Sequence, residues 1–152
     1  MRTVVQRVRR AEVRVGDGVV GRIDRGALLL VGVERGDTAA DADATARKIA
    51  ALRFFPGATP MDKTLREVDG GCLVVSQFTL GAALRKGNRP SFGHAEAPER
   101  AEPLYLRVAE QLAAHVPVAT GRFGADMQIE LVNDGPVTFL VFARDGAILD
   151  PS

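Results

Sequence analysis

The sequence predicts a mixed α/β domain in which two helices pack on a β-rich sheet. Short apolar runs bounded by Gly, Pro and Asp indicate strands, and two longer segments carry apolar residues at helical spacing. The 152 residues contain no internal repeat, low-complexity tract or long linker, so we expect residues 1–152 to form one domain. A hydrophobic fraction of 46% and a charged fraction of 26% are typical of a globular protein.

Charge and cysteine content narrow the classes of function. The net charge of +1 gives no global basic field, so a polyanion partner would have to bind to local clusters. "MRTVVQRVRR" has no apolar core of signal-peptide length, and no run is long enough to span a membrane. Cys72 is the only cysteine, and the two histidines, His94 and His115, lie far apart, which argues against a disulfide framework or a metal site. We therefore expect a cytoplasmic protein.

The first predicted strand changes face along its length. Its apolar residues fall on even positions at Val4 and Val8 but on odd positions at Ala11 and Val13. A strand of period two cannot change faces without an extra residue, so we expect a bulge or bend near Arg9-Arg10.

The next elements are a hairpin, a buried strand and a helix. "VGDGVVGRI" predicts a hairpin with Asp17-Gly18 at its turn, and "ALLLVGVE" (27–34) is typical of a buried strand. Asp37 or Thr38 can cap a helix that runs to about residue 52. The apolar face of this helix uses Ala42, Ala46, Ile49 and Leu52.

The second half alternates loops with one strand and one helix. "FFPGATP" and "LRKGNRPSFGHAEAP" indicate loops, and "CLVVSQFTL" indicates a buried strand that ends in polar residues. A second helix is predicted from Pro98 to Val116, with Pro103 in its first turns, where proline is tolerated. Its apolar stripe consists of Ala101, Leu104, Tyr105, Val108, Leu112 and Val116.

The end of the chain combines two conflicting signals. "ADMQIELVND" and "GPVTFLVFARD" predict a final pair of strands, and Asp134-Gly135 between them is a strong hairpin signal. Pro136 follows at once, where the returning strand should donate a hydrogen bond that proline cannot donate. The tail "DGAILDPS" (145–152) receives no assignment.

"SQFTL" places Ser76, Gln77 and Thr79 at the end of an apolar strand. One interpretation is a strand that runs out into solvent. The other is a catalytic site, in which unpaired backbone N–H groups near Phe78 and Thr79 stabilise a developing oxyanion. Ser76 or Thr79 as nucleophile would need a nearby base, and no histidine lies close in sequence.

Two further sets of residues are candidates for binding. Arg85, Lys86 and Arg89 precede Phe92 in "RKGNRPSF", which is either a solvated turn or a phosphate contact beside an aromatic that can stack on a base. Arg7 lies among valines, and its planar guanidinium suits binding backbone carbonyls or a carboxylate and holding a loop rigid.

"SQFTL", "GRFGADM" and "NDGPVTF" together resemble the D-aminoacyl-tRNA deacylase family, and "QRVRRAEVRV" and "RPSF" extend the resemblance along the whole chain. The resemblance implies a largely antiparallel, barrel-like β core with two main helices. It also implies a homodimer that needs no metal or cofactor. Its substrates would be tRNA carrying a D-amino acid and glycine mischarged on tRNA-Ala.

The resemblance also implies site roles. The Gly135-Pro136 bond would be cis and would insert into the partner's active site, where it would exclude L-amino acids sterically while D-amino acids and glycine pass. Arg7 would brace this loop, and Ser76, Gln77, Phe78 and Thr79 would line the ester. Either the 2′-hydroxyl of the terminal ribose or the Thr79 hydroxyl would assist hydrolysis. The rival hypotheses are a non-catalytic module that binds tRNA ends and a dimeric β domain whose Gly-Pro turn only ends a sheet.

Overall fold

One seven-stranded sheet and two helices make up the computed structural model, which describes residues 1–150. The strands are β1 (Arg2–Val15), β2 (Gly18–Ile23), β3 (Gly26–Gly32), β4 (Gly71–Ser76), β5 (Val118–Thr120), β6 (Gln128–Arg144) and β7 (Ala147–Leu149). The helices are α1 (Ala39–Ala51) and α2 (Pro98–Ala113), and two 3₁₀ turns cover Arg66–Val68 and Phe78–Gly81. Neither α1 nor α2 has the length and apolar character of a membrane-spanning helix.

The sheet has the order β5-β4-β3-β1-β6-β7, and β2 pairs with β1 outside this path. β1 runs antiparallel to β2, β3 and β6, and β7 runs antiparallel to β6. Only the β3–β4 and β4–β5 pairs are parallel. The predicted mixed α/β class, with its largely antiparallel sheet and two helices, is therefore confirmed, but the sheet is open and does not close into a barrel.

β1 changes face once. Val5 and Val8 are both fully buried but on opposite faces of the sheet, Val5 in the core that contains the helices and Val8 in a second core. Ala11 and Val13 then lie in the same core as Val8, although they occupy odd positions. Against β6, one extra residue, Arg9, lies between Val8 and residue 10, so the predicted bulge is confirmed. Val4 lies on the same face as Val8, as expected, but it is only half-buried.

β6 is one strand, so the predicted pair of strands around an Asp-Gly hairpin is wrong. Gln6 of β1 pairs with Thr138 of β6, and Val8 pairs with Asn133. Two residues of β1 are therefore matched by five of β6, and three extra residues are extruded as a loop within 134–137. Both halves of β6 continue in the same direction because β1 is long enough to pair with each of them. A local Asp-Gly signal cannot reveal that partner.

The helices cover one face of the sheet, and the β1–β2 hairpin helps to close a second core on the other. Buried residues of α1 and α2, including Ile49, Tyr105, Val108 and Leu112, pack in the first core with Leu29, Val31 and Val74. The second core contains Val8, Ala11, Val13, Ile23, Leu28, Leu73 and Val75. The hairpin turn is Gly16-Asp17 and not the predicted Asp17-Gly18, since Val15 pairs with Gly18.

The predicted helices are confirmed with small changes at their ends. Thr38 is the N-cap of α1, and its backbone N–H donates to the Asp41 carboxylate at 2.9 Å. α2 ends at Ala113, three residues before the predicted end, and Pro103 lies inside it. β7 was not predicted; it pairs with the end of β6 after a turn at Asp145-Gly146. Residues 151 and 152 of the unassigned tail lie outside the described residues.

Candidate active site

The C-terminal end of β4 leads into the first candidate site. The Gln77 backbone N–H donates to the carbonyl of Val31 at 2.8 Å, which holds the strand end against β3. The chain then forms the 3₁₀ turn Phe78–Gly81. Within residues 1–150, the backbone N–H groups of Phe78 and Thr79 have no hydrogen-bond acceptor. These two neighbouring donors are therefore free to bind an oxygen of a ligand.

The side chains around these donors do not form a nucleophile–base pair. The Gln77 side-chain amide donates to Thr79 Oγ1 at 2.5 Å. Ser76 is half-buried and Thr79 is exposed. Among the described residues, no imidazole or carboxylate forms a hydrogen bond with either hydroxyl. Neither hydroxyl is activated as a nucleophile by this chain alone.

Two cavities adjoin this strand end and share Ser76, Gln77 and Phe78. The larger has a volume of about 470 Å³, and its aromatic lining consists of Phe78, Phe92, Tyr105 and Phe123. The smaller, of about 230 Å³, continues along the segment from Gly124 to Met127. The rings of Phe78 and Phe92 meet edge to face with centroids 5.1 Å apart, and Phe78 is 58% exposed. The larger cavity suits a flat, largely apolar group such as a nucleobase.

Two titratable groups near the site remain protonated. Burial raises the pKa of the Tyr105 phenol to about 12, and its hydroxyl donates to the carbonyl of Val74 at 2.9 Å. Burial also raises the pKa of the Cys72 thiol to about 12. Tyr105 therefore serves as a fixed wall of the cavity, and Cys72 is a core residue without nucleophilic character.

The extruded loop of β6 is the second candidate site. Its Gly135–Pro136 peptide bond is cis, as the family resemblance implies, and both residues are exposed. Arg7, with a side chain only 11% exposed, donates to the carbonyl of Asp134 at 2.8 Å and to the carbonyl of Phe54 at 2.8 Å. One planar guanidinium thus ties the base of the loop to the segment after α1.

Asn133 closes the same loop from within. Its side-chain oxygen accepts from the Val137 backbone N–H at 2.8 Å, and its side-chain nitrogen donates to the Thr138 hydroxyl at 3.1 Å. These bonds join the two ends of the extruded segment, so the loop is braced from both sides.

The loop and the large cavity are separated within the chain. Neither Gly135 nor Pro136 lines the cavity. Arg7 pairs with Ala27 at the start of β3, whereas the cavity is lined by Val31 and Val33. Val31 lies four positions beyond Ala27 along the strand, which is roughly 13 Å. The structure thus brings 76–79 and Phe92 together and places Arg7, Gly135 and Pro136 elsewhere.

The basic segment projects beside the cavity. Arg85, Lys86 and Arg89 are exposed, and in the described part of the chain none has an acidic oxygen within 4.0 Å. Two backbone hydrogen bonds between Ala83 and Ser91 close the base of this loop, next to Phe92 on the cavity wall. His94 and His115 are exposed.

Sequence reasoning did not assign a site role to several residues. Asn133 braces the loop. Arg35 and Glu96 line the large cavity, and Tyr105 and Phe123 are part of its aromatic lining. Tyr105 was assigned only to a helical stripe, which does not distinguish a core residue from a cavity wall. Phe123 lies in "GRFGADM", and that motif was the only available signal for it.

Comparisons with known proteins agree over nearly the whole chain. A family model described as D-Tyr-tRNA(Tyr) deacylase matches residues 4–142. A D-aminoacyl-tRNA deacylase of Paracoccus denitrificans is 52% identical over 149 residues, covering 97% of this chain and 100% of the relative. One from Anaeromyxobacter dehalogenans is 55% identical over 146 residues, covering 95% and 98%.

Solved structures give the same result for the fold. One titled "c-Myc DNA Unwinding Element Binding Protein" is 39% identical, with a TM-score of 0.89 over 95% of this chain and 99% of the other. A second, titled as a probable eukaryotic D-amino acid tRNA deacylase, is 19% identical with a TM-score of 0.77 over 91% and 97%. At that identity the second supports the fold alone.

Proposed function

Because the chain belongs to the D-aminoacyl-tRNA deacylase family and is therefore a hydrolase, we propose that it hydrolyses the ester between a D-amino acid and the 3′-terminal adenosine of tRNA. The products are free D-amino acid and tRNA. Glycine mischarged on tRNA-Ala is a second substrate. The reaction takes place in the cytoplasm, where tRNA is charged and used.

The observation that carries this proposal is the pair of free backbone N–H groups at Phe78 and Thr79. Phe78 lies on the wall shared by the two cavities, and Thr79 follows it directly in the chain. Ester hydrolysis passes through a tetrahedral intermediate whose oxygen carries negative charge. Two fixed donors aimed at that oxygen stabilise it without reorganisation. The ester carbonyl is bound there, with the adenosine in the large cavity against Phe92 and Phe123.

The attacking water is activated by the substrate and not by a protein base. In the described residues no base contacts the Thr79 hydroxyl, which instead accepts a hydrogen bond from Gln77. The 2′-hydroxyl of the terminal ribose lies next to the 3′-ester in any such substrate and can transfer the proton. A direct role for the Thr79 hydroxyl is the competing mechanism.

The Gly135-Pro136 loop of a second copy in a homodimer selects the substrate by the chirality of its amino acid. In one protomer this loop is exposed, braced by Arg7 and Asn133, and remote from the large cavity. A rigid backbone with no β-carbon at Gly135 can approach the substrate's α-carbon closely. It would clash with an L side chain and leave room for a D side chain or for glycine, so selection is by steric rejection.

The basic loop supplies weak contacts to the tRNA backbone. Arg85, Lys86 and Arg89 are exposed and have no acidic partner among residues 1–150, beside a cavity wall that includes Phe92. Such contacts contribute salt-dependent affinity, and binding without turnover would instead favour the non-catalytic rival.

The test is release of tyrosine from D-Tyr-tRNA and L-Tyr-tRNA by the purified protein. We expect catalytic release from the D-form only, and a protein that binds both without turnover would contradict the proposal. Thr79→Ala assayed on normal tRNA, and wild type on tRNA ending in 2′-deoxyadenosine, separate the two mechanisms. Loss of activity only with the deoxy substrate assigns the proton transfer to the RNA hydroxyl.

A further inference from the structure

One cationic side chain at the large cavity has no acidic partner. Arg35 is the only lysine or arginine among the lining residues, and it is exposed, which places it at the mouth. Within residues 1–150 no acidic oxygen lies within 4.0 Å of its guanidinium. The neighbouring Arg2 and Arg144 differ, since both pair with Glu34. The N–H donors of the Arg35 guanidinium are therefore available to a ligand.

The backbone of Arg35 is fixed at the rim. Its N–H donates to the carbonyl of His94 at 2.9 Å, and its own carbonyl accepts from Arg144 Nη1 at 3.2 Å. Glu34 and Ala95 form a β-bridge one residue away. The side chain thus starts from a defined point between the end of β3 and the cavity wall that carries Phe92.

The acidic groups around Arg35 are already bound by other donors. Glu96 is the only acid that lines the cavity, and its Oε1 accepts from the Ala97 backbone N–H at 2.8 Å. Asp37 accepts from the Met1 ammonium at 2.7 Å and from the Glu34 backbone N–H at 2.7 Å. An anion at the mouth of the cavity would meet one free cation whose charge no ion pair cancels.

We propose that Arg35 binds the phosphodiester on the 5′ side of the terminal adenosine, an assignment that rests on the proposed function. In the proposed binding mode the 3′-ester lies at Phe78 and Thr79, and the base lies among the aromatic side chains deep in the cavity. The ribose is then joined to the rest of the tRNA through its 5′-oxygen. The 5′-phosphodiester must lie at the mouth of the cavity, because the next nucleotide is outside it. The planar guanidinium matches two phosphate oxygens with parallel hydrogen bonds. Arg35 thereby positions the terminal nucleotide and touches no reacting atom.

The experiment uses three D-tyrosyl esters, those of adenosine, adenosine 5′-monophosphate and tRNA. We expect wild type to prefer both phosphorylated esters. Arg35→Ala should raise KM for them about tenfold or more, the usual cost of a hydrogen bond to a charged group, with kcat nearly unchanged. Its turnover of the adenosine ester should equal that of wild type. With tRNA, the slope of log kcat/KM against log salt should fall by about 0.7, the value for one phosphate on a single strand.

Two variants control this experiment. Arg35→Lys keeps the charge but not the planar guanidinium. Its KM for the phosphorylated esters should lie between those of wild type and Arg35→Ala. Arg66→Ala removes an exposed arginine that does not line the cavity, and it should match wild type on all three esters.

Two results would overturn the assignment. An Arg35→Ala variant that keeps the phosphate preference would place the phosphate elsewhere, and an equal loss on the adenosine ester would show a role in the base or ester site. Failure of wild type to hydrolyse any D-ester selectively would instead overturn the proposed function, and the phosphate assignment with it.

Discussion

Gly135 has a φ of +149°, and a β-carbon built there would come within 2.7 Å of both the backbone nitrogen and Cγ2 of Val137. L-residues rarely adopt this backbone conformation, and Val137 is itself held by its hydrogen bond to Asn133. A side chain at this position therefore has to displace the loop. The displaced segment would be the Gly135-Pro136 loop, which we propose contacts the substrate.

We predict that Gly135→Ala lowers kcat/KM for D-Tyr-tRNA and glycyl-tRNA about 10- to 100-fold, since shifts of about 1 Å in positioning groups have effects of this size. Gly16→Ala is the matched control, because Gly16 also has a positive φ, +58°, but nothing lies within 4 Å of an added β-carbon. Deacylation assays on both variants test this. Unchanged turnover in Gly135→Ala would show that the loop does not contact the substrate.

At the scale of elements, β6 contains the extruded loop, a candidate functional segment that does not interrupt the strand. The three extra residues lie between the pairs Gln6–Thr138 and Val8–Asn133, so the ladder is in register on each side but shifted by three. Removing three residues would leave the bulge at Arg9 as the one remaining shift in this ladder. The chain thus carries an insertion that strand pairing itself does not require.

Deletion of 134–136 should therefore give a folded protein with a continuous β1–β6 ladder and D-Tyr-tRNA turnover reduced about 100-fold or more. Circular dichroism and amide exchange at residues 6–8 report the ladder, and deacylation reports the activity. Replacement of 134–136 by three glycines keeps the length and separates loss of the loop's rigidity from loss of the loop. A deletion variant with full D-specific activity would contradict the proposed role.

α1 is joined to the C-terminal hairpin through Asp41. Its carboxylate accepts from the Thr38 backbone N–H at 2.9 Å and from the Gly146 backbone N–H at 2.9 Å. Burial raises the pKa of this carboxyl, but the hydrogen bonds from Gly146 and Thr38 outweigh burial, and the net pKa is lowered. The ionised form therefore stabilises the fold, and this contribution is lost as the pH falls through the lowered pKa.

Asp41→Asn should reduce the free energy of unfolding at pH 7 by about 0.5–2 kcal/mol, the range for loss of a helix-capping interaction. The difference from wild type should stay constant above about pH 5 and shrink below about pH 4, near the unfolded pKa of an aspartate. Urea unfolding at pH 7 and 3.5 measures it. Asp17→Asn, at an exposed carboxyl, controls for loss of charge, and a difference independent of pH would refute the assignment.

At the scale of the whole molecule, the two candidate sites do not meet in one protomer. The loop is braced beside the start of β3, and the large cavity lies beyond Val31. The outer side of β6 presents Leu140, which is 59% exposed and borders a small cavity with Val4 and Phe142. Burial of such a leucine contributes about 1.5–3 kcal/mol, so this side suits contact with a second copy.

We predict that Leu140→Glu yields a folded monomer that has lost D-Tyr-tRNA deacylation, because an unpaired charge in an apolar interface is strongly unfavourable. Sedimentation velocity measures the assembly, and the deacylation assay measures the activity. Leu106→Glu, at a leucine 45% exposed on α2, should remain dimeric and active. A Leu140→Glu protein that stays dimeric would place the interface on another surface.

Local sequence patterns were enough to predict the type of most elements and to identify the key motifs. Apolar periodicity predicted both helices, the buried strands β3 and β4, and the bulge at Arg9, because each of these depends on residues close together in the chain. Thr38 was correctly expected as a possible cap for the same reason. Motif resemblance identified the family, which the comparisons confirm.

The placement of these elements and motifs depends on contacts between distant parts of the chain. That β6 is one strand depends on β1, more than a hundred residues away in sequence. The large cavity is lined by residues from Val31 to Gly124, and the separation of the Gly135-Pro136 loop from it follows from strand order and register. Periodicity records which face of an element is apolar, but partner and register are set by pairing between distant segments, which a local pattern does not encode.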